Sequence, residues 1–323
     1  MLDAPAILEK TRLELDIDAT SAEQILKGGS DRAYWRVTCD NNSSVIVMEY
    51  TTRRPDNASF VPVTRYLTSI GTAVPAILAL REEELLVWLQ DLGGDDLWAS
   101  RNDAWEKRRP LYKKALAEVA KLHAITETPP IDLQPPFDED LYGWEQRYFL
   151  EEFVAGYCDE KETAEALGQS AEFADLIATL VKEPRGLLHR DFQSQNVMVK
   201  DDEVFLIDYQ GLRFGVPEYD VASLIYDPYV PFTDDERLDL QHDYCEIRGI
   251  ETFDEWQTRL HQCAAQRLMQ ALGAYGYLGI KLKRTQFFQH IPAALKNLSG
   301  ILKASGLLPN LLPHVERTLL SVQ

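Results

Sequence analysis

A short stretch in the second half of the chain carries the residue types and the spacing best suited to chemistry. His189-Arg190-Asp191 is followed after four residues by Asn196, and an apolar segment then leads to Asp208. Transfer of a phosphoryl group to a hydroxyl needs one group that orients the hydroxyl and accepts its proton, and others that hold magnesium against the phosphates. Asp191 suits the first task. Asn196 and Asp208 suit the second, because Mg²⁺ takes hard oxygen ligands.

The spacing of these residues has a physical reason. A short loop allows Asp191 to face the acceptor while Asn196 turns back toward the metal, and a pair of strands then brings Asp208 beside Asn196. A His-Arg-Asp triplet, an Asn after four residues and an apolar strand ending in Asp together form the signature of a kinase catalytic loop and metal site. The alternative is a set of ordinary polar loop residues. The occurrence of every part in order favours catalysis.

The first third of the chain is predicted to contain most of the strands. Residues 1–27 have a partly periodic apolar pattern that predicts helix, and residues 56–70 predict a second helix. Apolar segments predict four strands: one within residues 28–39, one at 45–48 after a turn at Asp40–Ser44, and two at 74–80 and 84–90.

The remainder is predicted to be mainly helical. The predicted helices cover Trp105 to His123, 138–158, 161–182 and most of the chain from about Tyr219, and two short strands bracket a turn at Lys200–Asp202. Asp220 begins one of these helices, where an aspartate can act as a cap, and we favour a structural role for it. The order of elements predicts an α+β fold with a strand-rich N-lobe at residues 1–92 and a larger helical C-lobe at residues 93–323.

Composition limits the class of protein. The chain has 323 residues, 45% of them hydrophobic, which is enough for one large domain or two packed lobes, and its apolar runs are too short to span a membrane. A net charge of −19 would repel DNA or RNA, so nucleic acid is not an expected partner. The charge is interpreted as an aid to solubility rather than as steering of a cationic substrate. Four scattered cysteines and an N-terminus unlike a signal peptide predict a cytoplasmic protein.

Three segments resemble a known group of enzymes: LLHRDFQSQNVMV, LIDYQGLRFGVPEYDVASLIYDPYV and AAQRLMQALGAYGYL. They are similar to the bacterial anomeric kinases of N-acetylmuramate and N-acetylglucosamine, which belong to the aminoglycoside-phosphotransferase/choline-kinase superfamily. The resemblance extends over nearly the whole chain. It implies a protein-kinase-like bilobal fold, use of ATP and Mg²⁺, and phosphorylation of an N-acetylated amino sugar at its anomeric hydroxyl. It also implies that His189, Arg190 and Asp220 support the catalytic loop.

The same resemblance implies a nucleotide site in the first third of the chain. GGSDRAYWRV and LVWLQDLGGDDL match the family's nucleotide loop and the hinge that packs on adenine. The residues implied are Gly28, Gly29, Ser30, Arg32, Arg36, Gln90, Asp91 and Leu92. Most kinases carry a phosphate-binding Lys on the third strand, but Met48 occupies that place here, and the sugar-kinase group also tends to lack the Lys. Arg32 and Arg36 could supply the missing charge, or they could be solvated loop residues.

Acceptor-binding residues are implied in a segment that this family uses near its substrate. An interval of four residues separates Trp144 from Tyr148 and Tyr148 from Glu152, so the three share one helical face, with Arg147 beside them. Aromatic rings and carboxylates suit a sugar, although aromatic residues at this spacing often pack in a core. Arg213 could approach a phosphate or a substrate carboxylate, or form a surface ion pair. The sugar-kinase assignment itself rests on residues 208–211, 219–229, 266–267 and 272–273.

Three other functions are compatible with parts of the pattern. A kinase for an aminoglycoside or an amino alcohol would have an acceptor pocket lined by carboxylates. A non-catalytic nucleotide-binding regulator would explain Met48 but would need no base at Asp191. A protein kinase is disfavoured because no Ala-Pro-Glu follows Asp208 and because Tyr219 follows it closely, which leaves little room for a peptide platform. The sequence predicts no oligomeric state.

Overall fold

A computed structural model describes residues 2–25, 32–40, 43–51 and 55–322, and it divides into two compact units. The first unit comprises Met1–Asp95, Pro129–Asp132 and Met198–Gln210, and the second comprises Asp96–Thr128, Leu133–Val197 and Gly211–Gln323. Asp208 therefore belongs to the first unit, whereas Asp191 and Asn196 belong to the second. The boundary predicted at residue 92 instead assigned all three residues to the C-lobe.

A five-stranded antiparallel sheet organises the first unit, in the order β1-β2-β3-β5-β4. Its strands are β1 (Ala19–Ile25), β2 (Ala33–Cys39), β3 (Ser44–Glu49), β4 (Ile77–Arg81) and β5 (Leu86–Gln90), and its helices are α1 (Ala4–Leu15), α2 (Pro55–Ala58) and α3 (Phe60–Ser69). Trp35 and Val37 of β2 are buried in one cluster with Ile7 of α1 and Trp88 of β5. Because alternate strand residues point to the same side, this cluster covers one face of the sheet.

The N-terminal segment corrects the helix predicted over residues 1–27. Of the described residues in this segment, only Ala4–Leu15 is helical; Asp16, with a φ of 52°, ends α1, and Ala19–Ile25 forms a strand paired with β2. This strand lies at the edge of the sheet, and Ala19 is its only buried residue. Its sequence therefore lacks the alternation of apolar and polar residues that marks a half-buried strand.

Helices build most of the second unit. They are α4 (Trp105–His123), α5 (Glu139–Tyr148), α6 (Lys161–Gly168), α7 (Ala171–Leu180), α8 (Glu218–Ile225), α9 (Asp234–Arg248), α10 (Phe253–Ile280), α11 (Ile291–Ser305) and α12 (Leu312–Ser321), and a π-helix at Phe149–Tyr157 continues α5. The helices predicted at 138–158 and 161–182 are thus each divided in two. Among the described residues, no helix combines the length and hydrophobicity needed to cross a bilayer.

Four short strands follow α7: β6 (Gly186–Leu188), β7 (Val197–Lys200), β8 (Glu203–Leu206) and β9 (Arg213–Gly215), paired as β6 with β9 and β7 with β8. The turn residues Asp201 and Asp202 have φ values of 53° and 58°, and a two-residue type I′ hairpin turn requires positive φ at both places. The Leu206 N–H donates to the Ala73 carbonyl at 2.9 Å, which fixes the strand leading to Asp208. The predicted α+β fold, strand-rich at first and then mainly helical, is confirmed.

Glycines allow α10 to approach the π-helix closely. A Cβ atom on Gly276 would lie 2.2 Å from the backbone oxygen of Glu152, and one on Gly273 would lie 3.0 Å from the backbone nitrogen of Phe149. Only glycine permits two backbones to approach so closely. This contact therefore fixes the distance between α10 and the segment that follows α5.

We expect Gly276→Ala to lower the free energy of unfolding by about 1–3 kcal/mol, because the added methyl group would force two backbones apart. Gly300→Ala is the matched control, since Gly300 also lies within a helix and its added Cβ would meet nothing within 4 Å. The control should be neutral or stabilising by up to about 1 kcal/mol, because Ala has the higher helix propensity. Urea denaturation followed by circular dichroism measures both changes. Equal stabilities for the two variants would contradict the close packing.

Candidate active site

In the second unit, Asp220 holds the loop that carries the catalytic motif. Its carboxylate is fully buried and accepts hydrogen bonds from the backbone N–H groups of His189, at 2.7 Å, and Arg190, at 2.8 Å. The ring of His123 places Nε2 3.1 Å from the Asp220 carboxylate and Nδ1 2.7 Å from the hydroxyl of Tyr244. Asp220 is the third residue of α8, so its side chain braces the loop and does not cap the helix.

Two residues of the predicted motif have an unusual backbone conformation. Arg190 has a φ of 80° and Asp208 a φ of 61°, in the left-handed region that non-glycine residues seldom occupy. Such conformations cost on the order of 1–3 kcal/mol each and persist where the surrounding structure imposes them, often at functional sites. For Arg190, the bond from its N–H to Asp220 imposes the conformation.

Asp191 is held in its ionised form by its neighbours. Arg190 Nη1 donates to Asp191 Oδ2 at 2.5 Å, and Arg267 Nη2 lies 3.9 Å from Oδ1. Burial raises the pKa of Asp191, but the charges of Arg190 and Arg267 outweigh that effect and hold the pKa below its ordinary value. The side chain is 31% exposed, so the carboxylate is both charged and accessible.

Asn196 closes the loop by donating from Nδ2 to the backbone oxygen of Asp191 at 2.9 Å. The same bond orients the carboxamide, since Oδ1 lies on the opposite side of the group from Nδ2. Ser194 ties the loop to the end of α8: its hydroxyl and its N–H donate to Asp227 at 2.5 and 2.9 Å. Asp227 also accepts the N–H of Tyr229 at 2.9 Å.

Arginine dominates the surroundings of Asp191. Arg190 and Arg267 are joined there by Arg213, whose pKa is lowered by burial and by the neighbouring charge of Arg190. A guanidinium nevertheless remains charged at any physiological pH. Glu145 is fully buried near these arginines; burial raises its pKa, and it accepts hydrogen bonds from the Tyr219 hydroxyl and Gln266 Nε2, at 2.8 and 3.0 Å.

Sequence reasoning missed several residues close to the motif. A cavity of about 10 Å³, large enough for roughly one water molecule, is lined by Gln193, Ser223, Asp227, Arg267 and Tyr275, among others. The ring of Tyr229 lies 6.3 Å from that of Tyr275 and 4.3 Å from that of His290. The sequence did give a signal for Arg267, because this residue lies in a segment that resembles the family. No signal in the sequence marked Glu145, since an acidic residue beside Gln146 and Arg147 is expected to lie at the surface.

The acceptor residues predicted in α5 occupy a different face from Glu145. Trp144 is 45% exposed, and its ring stacks on that of Tyr148 at 5.0 Å, with Tyr277 of α10 behind at 6.0 Å. Arg147 is exposed, and burial, with Glu152 and Tyr277 nearby, raises the pKa of Tyr148 to about 12. The structure thus provides a stacked aromatic pair at the surface.

The predicted nucleotide residues that the structure describes belong to the first unit, and two of them bond to each other. Arg36 donates from Nε and Nη2 to the carboxylate of Asp91, at 2.7 and 3.1 Å, and from Nη2 to the Gly93 carbonyl at 2.7 Å. Burial raises the pKa of Asp91, but bonds from Arg36, Ser44 and the Gly93 N–H lower it further than burial raises it. Arg36 therefore braces the segment after β5.

The remaining predicted residues of the first unit are placed as follows. Gln90 pairs with Val45 of β3, and Leu92 is buried. Met48 is fully buried and lies opposite Tyr34. Gly28, Gly29 and Ser30 lie outside the described residues.

Asp208 is positioned by the residue that follows it. Tyr209 is almost completely buried, its ring stacks on that of Phe60 at 5.7 Å, and its hydroxyl lies 2.8 Å from that of Thr64. Both partners are residues of α3. Packing of Tyr209 against this helix fixes the backbone from which the Asp208 carboxylate projects.

Comparisons with known proteins agree with this fold. The model of the Phosphotransferase enzyme family matches residues 21–257. The chain is 26% identical over 297 residues to an N-acetylmuramate/N-acetylglucosamine kinase of Neisseria meningitidis, an alignment that covers 89% of this chain and 86% of that protein. It is similar to the structure of an ADP-bound aminoglycoside phosphotransferase, with a TM-score of 0.61, 13% identity and coverage of 93% of this chain and 99% of the other.

A choline kinase from Cryptosporidium parvum also has this fold, with a TM-score of 0.60, 14% identity and coverage of 94% of this chain and 98% of the other. The predicted resemblance to the aminoglycoside-phosphotransferase/choline-kinase superfamily is confirmed. The chain belongs to the phosphotransferase enzyme family, and it is an enzyme that transfers a phosphoryl group to a hydroxyl.

Proposed function

We propose that this enzyme transfers the γ-phosphoryl group of ATP to the anomeric hydroxyl of an N-acetylated amino sugar and releases the sugar 1-phosphate. The observation that carries the proposal is the setting of Asp191, an ionised and accessible carboxylate on a loop held by Asp220. The activity named for the Neisseria meningitidis relative supports the acceptor, and the ADP in a similar structure supports the nucleotide. We propose a cytoplasmic location, because ATP is a cytoplasmic substrate.

In this proposal Asp191 orients the acceptor hydroxyl and accepts its proton as the new O–P bond forms. Its lowered pKa keeps it ionised at neutral pH. Asn196 and Asp208 are the residues proposed to hold magnesium, because each offers the hard oxygen donor that this ion takes. The bond from Asn196 Nδ2 to the loop fits that role, since it leaves Oδ1 turned away from the Asp191 carbonyl. Bound magnesium would offset the negative charge of the phosphates.

The arginines around Asp191 support an acidic or neutral acceptor over a polycationic one. An aminoglycoside carries several ammonium groups, which Arg190, Arg213 and Arg267 would repel. N-Acetylmuramate carries a carboxylate, which a guanidinium pairs with well. The acidic residues nearby, Glu145 and Asp227, are buried and already accept hydrogen bonds.

A screen of acceptors tests the proposal as a whole. Free N-acetylmuramate, N-acetylglucosamine, an aminoglycoside and choline are each incubated with enzyme and Mg-ATP, and ADP release is followed by a coupled assay. We expect turnover with the amino sugars, and phosphorus NMR of the product should show phosphate at the anomeric position. Turnover with the aminoglycoside alone would overturn the proposed acceptor.

Asp191→Asn should reduce turnover by about 10²–10⁴-fold, because it removes the proton acceptor with little change in shape. Binding of ATP should persist. The matched control is Asp235→Asn, since Asp235 is exposed in the first turn of α9. Steady-state kinetics measure both variants. Turnover of Asp191→Asn within about a factor of three of the wild-type enzyme would reject Asp191 as the base.

Asp208→Asn should abolish most activity and raise the Mg²⁺ concentration needed for half-maximal rate, because an amide lacks the charge that binds the ion. Asn is chosen over Ala since it tolerates the positive φ of this position. Asn196→Ala should have the same effect less severely. Magnesium titrations at saturating ATP provide the measurement, with Asp175→Asn, at an exposed position of α7, as control. An unchanged magnesium requirement in Asp208→Asn would place the metal elsewhere.

The methyl glycoside of N-acetylglucosamine should inhibit the enzyme competitively without being phosphorylated. Methylation blocks the anomeric hydroxyl and leaves the rest of the ring able to bind, while transfer requires that hydroxyl about 3 Å from the base. Product analysis by phosphorus NMR, together with inhibition constants, distinguishes the outcomes. Phosphorylation of the glycoside at the rate of the free sugar would show that the acceptor is a different hydroxyl.

A further inference from the structure

We propose that Arg32 supplies the positive charge that most kinases place on the third strand as a Lys, and that Asn57 orients Arg32 toward the phosphates of the nucleotide. The inference rests on the proposed function and adds a phosphate-binding residue to it. In the usual kinase arrangement the strand Lys pairs with a helical Glu and grips the α- and β-phosphates. Here Met48 occupies the strand position of the Lys, and Asn57 of the short helix after β3 takes the place of the Glu.

β3 carries no positively charged side chain at the position where most kinases have the Lys. Met48 is fully buried in β3, opposite Tyr34 of β2. A thioether is at most a weak acceptor and cannot bind an anion. The phosphates of a bound nucleotide therefore need another cation.

Arg32 stands directly before β2 and is held by an amide. Its Nε donates to Asn57 Oδ1 at 2.7 Å. Asn57, in the short helix after β3, is buried, and its Nδ2 donates to the Thr51 carbonyl at 2.8 Å. The second bond fixes the amide so that its oxygen faces the guanidinium. Asn57 thus does the orienting work of the helical Glu without adding a negative charge.

Arg32 lies beside the strand position at which most kinases carry the Lys. It directly precedes β2, and the register of β2 with β3 pairs Ala33 with Glu49 and Tyr34 with Met48. A guanidinium at this place can contact two phosphate oxygens at once.

Arg36, the second arginine predicted to bind phosphate, has a different role in the structure. Arg36 directs its Nε and Nη2 to Asp91 and Gly93, where it braces the backbone after β5. Moving it to a phosphate would leave the buried Asp91 carboxylate without its ionic partner, which is strongly unfavourable. Arg36 is therefore poorly suited to bind a phosphate.

Nucleotide binding by the full-length protein tests the inference without an acceptor. Arg32→Gln keeps much of the side-chain length and removes the charge. We expect it to weaken binding of ADP by about ten- to a hundredfold, the range for losing a charge-assisted hydrogen bond, while binding of adenosine changes less than about threefold. Arg32→Lys should recover part of the loss. Asn57→Ala should weaken ADP binding by less than Arg32→Gln, because it loosens the guanidinium but keeps its charge. Isothermal titration calorimetry supplies the affinities.

Arg65→Gln is the matched control, since Arg65 is exposed on α3 in the same unit and its loss changes the net charge equally. It should bind ADP as the wild-type protein does. Equal losses for ADP and adenosine in Arg32→Gln would indicate general damage to the site and overturn the inference. Unchanged ADP binding in Arg32→Gln would also overturn the inference, but it would not contradict the proposed function. A wild-type protein that binds no ADP would overturn both.

Discussion

The carboxylate of Asp220 is the contact on which the catalytic loop depends. It receives the main-chain N–H groups of His189 and Arg190, the two residues before Asp191. A buried carboxylate is costly unless it is hydrogen-bonded, so the loop cannot move away without leaving a charge unsatisfied. The same bonds keep Arg190 at positive φ, which sets the direction in which the chain leaves β6. Through His123, Asp220 also ties the loop to α4 and α9.

Charge near the proposed base is opposite in sign to that of the chain. The protein carries a net charge of −19, yet Arg190, Arg213 and Arg267 act on Asp191 and on the buried Glu145. Exposed charges are screened within about 8–10 Å at physiological salt, so a bound acceptor responds mainly to the groups that touch it. The cationic centre keeps a carboxylate ionised where a neutral acid could accept no proton. Net charge was therefore no guide to the acceptor.

Local patterns in the sequence predicted most elements, because helical spacing marks α4 and an ordered motif marks the loop after β6. The edge strand β1 was missed since most of its residues face solvent. The surroundings of Asp191 were harder to predict, because they come from distant segments: Gln266 and Glu145 bond across 121 positions. In α5 the aromatic residues dominated the pattern and drew attention to the face of Trp144. A fully buried acid such as Glu145 is rare enough that a pattern assigns it to the surface. Pairing of Arg36 with Asp91 likewise needed three-dimensional information.

The division of the chain into units has a consequence for its biosynthesis. Residues 198–210 pack with the N-terminal sheet, where Leu206 bonds to Ala73 and Tyr209 to Thr64. Domains of a nascent chain usually fold in the order in which they leave the ribosome. The first unit of this chain cannot be complete when residue 95 has been translated. The β7–β8 hairpin and Tyr209, which packs on α3, are translated only after much of the second unit. The nascent N-terminal sheet must therefore wait with part of its surface uncovered, and such transiently exposed surface makes a folding intermediate prone to aggregate.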